Sequence, residues 1–472
     1  MSYPELILAI PTYRSSDIAQ SVKNYAENFD KYGHKVPIMV FDDSKTPNHR
    51  ISEGSLRILS EQFPDQEIVY VGPHEKSRFK SFLTDNLSKE NGALVETLFR
   101  PSYGGNRNFI MAYTIGNYFV SVDDDMIPQA KTSYKDSTFD VVSKGKFVSQ
   151  EEFANTNSDD QDIISGYLRF FGTRVGEHND IISGFDLKDS NTDEYNNTKG
   201  PLEESVITLI EGNLNPNAKI KFIQTHLTGD ADIDSSDFVN LFMETGLEDI
   251  LSGKLPKKFI LESFKPVISQ NNMRLTGAVL GYDNTEGGVY FLPTSFRFED
   301  YVWRINIEQD HNSACAYTEN AQTHIRSLSV RNSIAKDWYN EMLALEMKKR
   351  VRDSMIRIGE NKISFNPPEP ISEEVAESIY TQILMKRNEA SKISRSIKKN
   401  GSPYMRFAGE LDSMLKDDLG NPRILSSNLT KKVEEEFDAY NKTASIWPEI
   451  LSLCFENRIS LPKVNIRTGK VI

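Results

Sequence analysis

Short apolar runs alternate with segments of helical spacing in the first part of the chain. The apolar runs predict buried strands at residues 6–10, 36–41, 67–71 and 118–122. Helices are predicted between them, at about residues 17–32, 55–63 and 77–88, and a further short helix runs through Met111 and Ile115 after a turn at Gly104 and Gly105. This alternation predicts an α/β fold with a doubly wound, mostly parallel sheet and right-handed crossovers.

Carboxylates follow two of these predicted strands. Asp123, Asp124 and Asp125 come directly after the fourth strand, and Asp42 and Asp43 come after the second. The carboxyl ends of parallel strands meet at one edge of an open sheet, which is where such folds bind ligands. Three adjacent like charges repel one another unless a cation lies among them. The triplet therefore predicts a divalent-metal site, with a solvated acidic turn as the alternative.

The pattern changes three times after residue 128. Residues 129–270 contain loops rich in Ser, Asn, Asp and Thr, short strand patterns and a helix at 237–251, which together read as a long insertion. Between 271 and 332, strands are predicted at 275–280, 289–292 and 314–317, and Glu299 and Asp300 open an amphipathic helix. Residues 333–472 show helical spacing, at about 335–358, 373–399, 404–415 and 429–456, and predict a C-terminal helical module.

Composition narrows the class of protein. The chain has 472 residues, of which 38% are hydrophobic and 26% are charged, as in ordinary soluble proteins of two or three domains. The net charge of -13 argues against a nucleic-acid partner. Two distant cysteines, Cys315 and Cys454, suggest a reducing compartment. Neither a leader nor a membrane span is predicted, so we expect a cytoplasmic protein with possible peripheral contact at the inner face of the membrane.

Four separated motifs carry a family resemblance. The first strand ends in Pro-Thr-Tyr and the second in Asp-Asp-Ser, Gly-Gly-Asn-Arg-Asn leads a helix, and the fourth strand ends in Asp-x-Asp. In order and spacing these motifs resemble the nucleotide-sugar half of a GT-A glycosyltransferase, closest to family 2. The resemblance implies an inverting, metal-dependent, hexosyltransferase-like enzyme of glycan biosynthesis. UDP is the expected nucleotide.

The resemblance implies roles for residues at the first two strand ends and in the glycine motif. One aspartate of the Asp42, Asp43 pair would accept the N3 hydrogen of uracil. Arg107 would bond the nucleotide or brace the second-strand aspartate. The base and ribose would be lined by Pro11, Thr12 and Tyr13.

The resemblance also implies a metal site. Asp123 and Asp125 would hold Mn²⁺ or Mg²⁺ between the two phosphates, with Asp124 beside the nucleotide-sugar. Hard cations take oxygen ligands, and they neutralise a diphosphate leaving group. His324 matches the position of a histidine that completes the metal shell in many GT-A enzymes, and it would favour Mn²⁺. His311 is the rival candidate.

The Glu299-Asp300 pair resembles the Glu-Asp motif of inverting family 2 enzymes. Asp300 would then be the catalytic base that takes the proton of an acceptor hydroxyl, and Glu299 would position the acceptor or support the pocket. Taken without the resemblance, both are helix N-terminal charges. Inversion is implied by this motif alone.

The resemblance divides the chain into four parts: 1–128 is the nucleotide-sugar-binding half, 129–270 an insertion that binds the acceptor or elaborates the fold, 271–332 the acceptor and catalytic half, and 333–472 the helical module. The acceptor would be a glycan, a lipid-linked molecule or a protein. Basic residues of the helical module are predicted to face an anionic membrane surface, the acceptor, solvent or a homo-oligomer contact.

Two other functional classes fit parts of the pattern. A sugar nucleotidyltransferase uses a related sheet, but its glycine-rich phosphate loop should follow the first strand, where this chain has Tyr13, Arg14 and Ser15. A non-catalytic binding protein would be expected to lose the Asp-x-Asp or the Glu-Asp motif, and both are present. Both classes are therefore less favoured than a glycosyltransferase.

Overall fold

The computed structural model describes residues 4–134, 141–189, 204–230, 258–271, 277–293, 299–302, 305, 310–325, 333–359, 362–397 and 403–471. The N-terminal elements form a doubly wound unit. Its strands are β1 (Leu6–Thr12), β2 (Ile38–Asp42), β3 (Ile68–Val71) and β4 (Tyr118–Val122), and its helices are α1 (Ile18–Tyr32), α2 (Asn48–Gln62), α3 (Pro73–Asn86), α4 (Lys89–Leu98) and α5 (Tyr103–Tyr113). The strands pair in parallel in the order β3-β2-β1-β4.

Both faces of this parallel sheet are covered. Helices α1 and α2 bury Val22 and Leu56 on one face, and α3, α4 and α5 bury Phe79, Val95 and Phe109 on the other. The strands are apolar throughout because they contact helices on both sides. The predicted α/β class is confirmed. All four strands were predicted within two residues of their observed ends, whereas α4 was not predicted as a separate helix.

The insertion and the following segment extend this sheet on its β4 side. Their strands are β5 (Met126–Ile127), β6 (Gln129–Lys131), β7 (Val141–Val148), β8 (Ser158–Asp160), β9 (Ile182–Asp189), β10 (Glu204–Ile210), β11 (Lys219–Gly229), β12 (Lys258–Phe264), β13 (Val267–Asn271), β14 (Val279–Asp283) and β15 (Ser313–His324), with helices α6 (Gln150–Asn155) and α7 (Ile163–Leu168). β14 joins β4 in antiparallel register and β11 joins β14. β6 and β8 form a separate two-stranded sheet. The pairings added to the main sheet are antiparallel except for β9 with β13 and β11 with β15, whereas those among β1 to β4 are all parallel.

Seven strands of this extension form a closed ring of pairings. The order runs β11-β12-β7-β10-β9-β13-β15, and β15 returns to β11 as a parallel neighbour. Small apolar clusters lie along this ring, one around Val142 and Tyr317 and another around Phe259 and Leu261. The ring holds β15 beside β5, which brings the end of β15 to the residues that follow β4.

The C-terminal helices pack against the face that α3, α4 and α5 cover. The elements are α8 (Ile334–Ser354), β16 (Met355–Gly359), β17 (Lys362–Phe365), α9 (Glu373–Ile397), α10 (Pro403–Ser413), α11 (Pro422–Ala444), α12 (Trp447–Glu456) and β18 (Val464–Asn465). Tyr290 stacks on Tyr440 with ring centroids 4.2 Å apart, and Trp447 Nε1 donates to the Gly288 carbonyl at 2.7 Å. β18 pairs with the outer edge of β3. The predicted C-terminal helices are confirmed, except that the helix predicted at 335–358 ends at Ser354, where β16 begins a hairpin with β17 that was not predicted.

Several predicted elements differ in the structure. The predicted turn at Gly104 and Gly105 is wrong, because both lie in the first turn of α5, where the Ser102 hydroxyl accepts the Gly105 N–H. The prediction of a strand at 289–292 is wrong. Instead, the side-chain amide of Asn108 donates to the Phe291 carbonyl and accepts the Phe291 N–H. The strand predicted at 314–317 extends to His324, and the helix predicted at 429–456 is two helices. The helix predicted at 237–251 lies outside the described residues.

Among the helices of the described ranges, none has both the length and the apolar character that a bilayer span requires.

Replacing Gly104 by alanine is expected to destabilise the fold by about 1–3 kcal/mol, as overpacking does. A Cβ on Gly104 would lie 1.8 Å from the Leu292 carbonyl oxygen, so the backbone would have to shift. Gly54→Ala is the matched control, since Gly54 lies in α2 with open space around it. That control should stabilise by about 1 kcal/mol through helix propensity. Urea denaturation of both variants tests this, and equal effects would contradict it.

Candidate functional site

The acidic triplet forms a tight turn at the end of β4. The Asp123 N–H donates to the Ala278 carbonyl at 3.0 Å, and the Met126 N–H returns to the Asp123 carbonyl at 3.1 Å. The side chain of Asp123 is about one-third exposed, at 34%, whereas those of Asp124 and Asp125 are 4% and 10% exposed. The turn therefore presents three carboxylates from one strand end in different environments.

Arg14 supplies a cation to this turn. Its guanidinium contacts both carboxylate oxygens of Asp124, one of them from Nε at 3.2 Å, and its Nη2 lies 3.0 Å from Asp125 Oδ2. The Thr12 hydroxyl donates to Asp124 Oδ2 at 2.5 Å. Burial alone would lower the pKa of Arg14, but Asp125 and Asp124 outweigh it and raise the pKa. Arg14 is therefore a buried bridge between two of the three carboxylates.

His324 lies at the same turn, at the end of β15. Its Nε2 is 3.0 Å from Asp125 Oδ1, and the Ile325 N–H donates to the Asp125 carbonyl at 2.9 Å. Burial would raise the pKa of Asp125, but His324 and Arg14 together lower it below its usual range. His311 lies just before the other end of β15, with its Nδ1 2.9 Å from Gln270 Nε2. Of the two histidines, it is therefore His324 that reaches the acidic triplet.

Arg107 connects the triplet to the Glu299-Asp300 segment. From α5 its Nη1 donates to Ser121 at 3.0 Å and its Nη2 to Asp123 at 3.1 Å, and its Nε lies 3.4 Å from Glu299 Oε1. Burial would lower its pKa, but Asp123, Glu299 and Asp300 raise it. Burial and then Asp300 raise the pKa of Glu299 to about 7, against the lowering effect of Arg107. Arg107 thus neutralises carboxylates from two remote parts of the chain.

Asp300 is fixed by the residues that precede β14. The Gly277 N–H donates to Asp300 Oδ2 at 2.9 Å, and the next residue, Ala278, accepts the Asp123 N–H. A Cβ on Gly277 would lie 2.5 Å from Arg107 Nη2, so glycine permits this close approach. The short segment 277–278 therefore holds Asp300 and Asp123 at one edge of the sheet.

The two aspartates after β2 have different surroundings. Asp42 is fully buried, and its two oxygens accept from the Ser44 N–H at 2.6 Å and the Tyr70 hydroxyl at 2.9 Å. The side chain of Asp43 is 17% exposed and accepts from Lys76 Nζ at 2.5 Å. Both oxygens of Asp42 are thus used in internal hydrogen bonds, and Asp43 is the partly exposed aspartate of the pair at the carboxyl edge of the sheet.

Lys76 and Arg14 are site residues that the sequence analysis did not assign. Lys76 Nζ also donates to Asn106 Oδ1 at 2.7 Å, which ties α3 to α5, and burial lowers its pKa against the raising effect of Asp43. A signal for Lys76 existed, because it shares the buried helical face of Phe79 and Leu83. Arg14 directly follows the Pro-Thr-Tyr motif, but nothing local indicates a partner more than a hundred positions away.

The remaining predicted residues lie at the end of β1. Pro11 and Thr12 pair with Phe41 and Asp42 of β2. Tyr13 is 45% exposed, and the Arg14 guanidinium lies 5.6 Å from the centroid of its ring. This exposed ring therefore lies beside Arg14, which contacts the acidic triplet.

The donor types of the edge suit a divalent cation, because carboxylates and an imidazole are good ligands for Mn²⁺. In the part of the chain that the structure describes, however, no three His, Cys, Asp or Glu residues are placed to hold a metal ion. Arg14 forms ion pairs with Asp124 and Asp125, and Arg107 forms one with Asp123. The chemical types of these side chains suit a divalent cation, and the carboxylates contact arginine side chains.

Comparisons with known proteins give remote matches. No protein-family model matches the chain, and no curated protein matches it. Among solved structures, glucosyl-3-phosphoglycerate synthase from Mycobacterium tuberculosis, in complex with Mn²⁺, uridine-diphosphate and phosphoglyceric acid, is 11% identical over 73% of this chain and 78% of that chain, with a TM-score of 0.31. S. aureus TarS 1-349 is 11% identical over 94% and 91%, with a TM-score of 0.24. Likenesses at this level support neither an activity nor a ligand for this chain.

Proposed function

We propose that this chain is a GT-A glycosyltransferase, similar to family 2, that moves a sugar from a UDP-sugar to an acceptor hydroxyl with inversion. The observation that carries the proposal is the convergence of Asp123 and Asp300 on the segment 277–278, with Arg107 between Asp123 and Glu299. Carboxylates from remote parts of the sequence thereby lie at the carboxyl edge of the parallel strands, which is where open α/β sheets generally bind ligands.

The donor would lie along the ends of β1, β2 and β4. Asp43 would accept the N3 hydrogen of uracil, and Tyr13 would stack on the base with Pro11 and Thr12 beside it. Asp42 would support this contact from the interior, since its own oxygens are taken by Ser44 and Tyr70. Asp124 would adjoin the diphosphate.

A divalent cation, Mn²⁺ or Mg²⁺, would be held by Asp123, Asp125 and His324. When bound, it supplies positive charge that neutralises the diphosphate leaving group. Arg107 has a separate role. It forms ion pairs with Glu299 and with Asp123, so that these carboxylates can lie close to an anionic donor.

Asp300 would act as the general base of the reaction. It would take the proton of the acceptor hydroxyl while that oxygen attacks the anomeric carbon from the face opposite the diphosphate. The Gly277 N–H donates to one carboxylate oxygen of Asp300, and the other oxygen would take the proton. Glu299, with its pKa raised to about 7 by burial, can share a proton with a sugar hydroxyl and so position the acceptor. The acceptor, a glycan, lipid-linked molecule or protein, would contact the insertion.

Binding of UDP in the presence of Mn²⁺ tests this function, with thermal unfolding as the readout. UDP with Mn²⁺ should raise the unfolding temperature of the wild-type chain, since a ligand of the native state stabilises it. Asp125→Asn is expected to abolish this shift, because it halves the anionic oxygens that face the cation. Asp180→Asn, at an exposed pair with Arg169, is the control and should keep the shift. An unchanged shift in Asp125→Asn would contradict the proposed metal site.

A further inference from the structure

A buried lysine holds one of the two aspartates that follow β2. We propose that Lys76 is a positioning residue that determines which nucleobase the donor site accepts. It fixes Asp43 so that the second carboxylate oxygen, Oδ2, accepts the ring N–H that uracil and thymine carry between two carbonyl groups, and so that cytosine is rejected. This inference deepens the proposed function and rests on it.

The Lys76 ammonium has partners on two neighbouring parts of the fold. Lys76 lies in the first turn of α3, and its side chain is only 6% exposed. Its Nζ donates to Asp43 Oδ1 at 2.5 Å and to Asn106 Oδ1 at 2.7 Å, and it lies 5.0 Å from the centroid of the Phe109 ring. Contacts with the residue that follows β2 and with α5 therefore fix the ammonium, in surroundings where little water competes with them.

Asp43 is held at two points. Its backbone N–H donates to the Thr12 carbonyl at 2.8 Å, and its Oδ1 accepts from Lys76. Its side chain is 17% exposed, whereas the neighbouring Asp42 is fully buried with both oxygens in internal hydrogen bonds. Asp43 Oδ2 is therefore the oxygen of this pair that would face a ligand. Its direction is set before the ligand arrives, which lowers the cost of binding.

Lys76 makes the contact that the resemblance offered to Arg107. That motif arginine was expected to bond the nucleotide or to brace the second-strand aspartate, but the structure pairs it with Asp123 and Glu299. Lys76 of α3 contacts Asp43 instead. The side chain that controls the base-reading carboxylate in this chain therefore lies outside the four motifs that carry the resemblance.

Asn106 strengthens the link between Lys76 and β2. Its Oδ1 accepts from Lys76, and its Nδ2 donates to the Phe41 carbonyl at 3.1 Å. Phe41 lies in β2, two residues before Asp43. The ammonium and the carboxylate that it holds are therefore anchored to the same strand.

The hydrogen-bonding capacities of these groups decide the base. An ionised carboxylate only accepts hydrogen bonds, and an ammonium only donates them. Uracil and thymine offer Asp43 Oδ2 their N3–H, whereas cytosine offers an unprotonated N3 that cannot pair with an acceptor. An acceptor that loses its partner when the ligand binds costs about five- to a hundredfold in affinity, so UDP should bind more tightly than CDP by such a factor.

Titration calorimetry of the full chain with UDP and with CDP, in the same buffer, tests the role of Lys76. The two probes differ only in the base, so contacts with the ribose and phosphates cancel in the ratio of their affinities. Lys76→Met should weaken UDP by about tenfold and change CDP by less than about twofold, because only the uracil N–H uses the positioned oxygen. Lys80→Met, which removes the pair between α3 and the exposed Glu96, is the matched control and should keep the wild-type ratio.

A second pair of variants tests the orientation itself. In Asp43→Asn the donor-only ammonium requires the amide oxygen on its own side, so the amide NH₂ takes the place of Oδ2. That NH₂ donates to cytosine N3 and opposes the uracil N–H, so the preference should reverse toward CDP. In the double variant Asp43→Asn with Lys76→Met the amide can turn either way, and the ratio should approach one. This double variant buries no unpaired charge, so it and Asp43→Asn carry the test if Lys76→Met alone does not fold.

The outcomes separate this inference from the proposed function. A ratio of UDP to CDP affinity that falls in Lys76→Met, stays in Lys80→Met and reverses in Asp43→Asn supports the positioning role. Equal losses for UDP and CDP in Lys76→Met would show that the lysine is purely structural, and an unchanged ratio would show that it does not position Asp43. Either result overturns the inference and leaves the proposed function intact. A wild-type chain that binds neither nucleotide overturns the proposed function itself.

Discussion

Replacing Asp300 by asparagine is expected to slow sugar transfer by a factor of about 10²–10⁴, the usual contribution of a general base. Binding of UDP with Mn²⁺ should remain as in the wild type. Asparagine preserves the shape of the side chain, and its carbonyl oxygen can still accept the Gly277 N–H that fixes Asp300. What the variant loses is the ability to take a proton, so the rate should fall while the donor site stays assembled.

Release of UDP from a panel of UDP-sugars measures this effect, with water or an added sugar as the acceptor. The unfolding temperature with UDP and Mn²⁺ provides the binding readout on the same samples. Asp180→Asn, at the exposed pair with Arg169, serves as the control for a lost surface carboxylate. A fully active Asp300→Asn variant would remove Asp300 as the base, and a variant without UDP binding would indicate a structural role.

Replacing Arg107 by methionine is expected to lower the free energy of unfolding by ~3–5 kcal/mol, as when one partner of a buried ion pair is removed. Methionine fills much of the same space, but it leaves Asp123 and the buried Glu299 without their cation. Ser121 also loses its hydrogen-bond donor. The effect is large because one guanidinium satisfies partners on β4 and in the Glu299-Asp300 segment.

The loss in Arg107→Met should grow as the pH rises. Burial and Asp300 already raise the pKa of Glu299 to about 7, and Arg107 opposes them. Without Arg107 this pKa rises further, and a carboxyl whose pKa is raised in the folded state costs stability once the unfolded chain would ionise. The loss of unfolding free energy in Arg107→Met should therefore be smaller at about pH 5, below the pKa of Glu299, than at about pH 8, above it.

Urea denaturation at both pH values checks the two parts of this prediction. Arg57→Met is the matched control, since Arg57 forms an exposed pair with Glu53 on α2 and should change stability by less than about 0.5 kcal/mol. Equal stability of Arg107→Met and Arg57→Met would show that Arg107 is not a buried neutralising group. A deficit that does not change with pH would exclude Glu299 as its cause.

Local patterns were sufficient for the parallel part of the fold. The run from Tyr118 to Val122 was predicted with its observed bounds, because an apolar run that ends on three aspartates has few alternatives. The edge that collects Asp43, Asp123 and Asp125 followed from the rule that parallel strands end together. Helices covering both faces followed from the same alternation of strand and helix.

Features that depend on remote partners were not predictable. Arg14 meets Asp124 across 110 positions. Helical spacing indicates that Lys76 is buried, but it does not indicate its partner Asp43, 33 positions away. Residues 289–292 are apolar enough for a strand, but the Asn108 amide replaces the hydrogen bonds of a strand neighbour. Gly104 resembles a turn residue in sequence, and the structure uses its lack of a side chain for the close approach of α5 to the Leu292 carbonyl. In each case the deciding contact is tertiary.

The position of β18 has a consequence for biosynthesis. This last strand covers the edge of β3, and Tyr113 of α5 donates to the Pro462 carbonyl just before it, at 2.6 Å. While a ribosome is still translating the middle of the chain, that flank of the nascent sheet is open to pairing with other polypeptides. Protection of the newborn N-terminal half by chaperones, or rapid completion of synthesis, therefore matters more for this protein than for one whose sheet is sealed early.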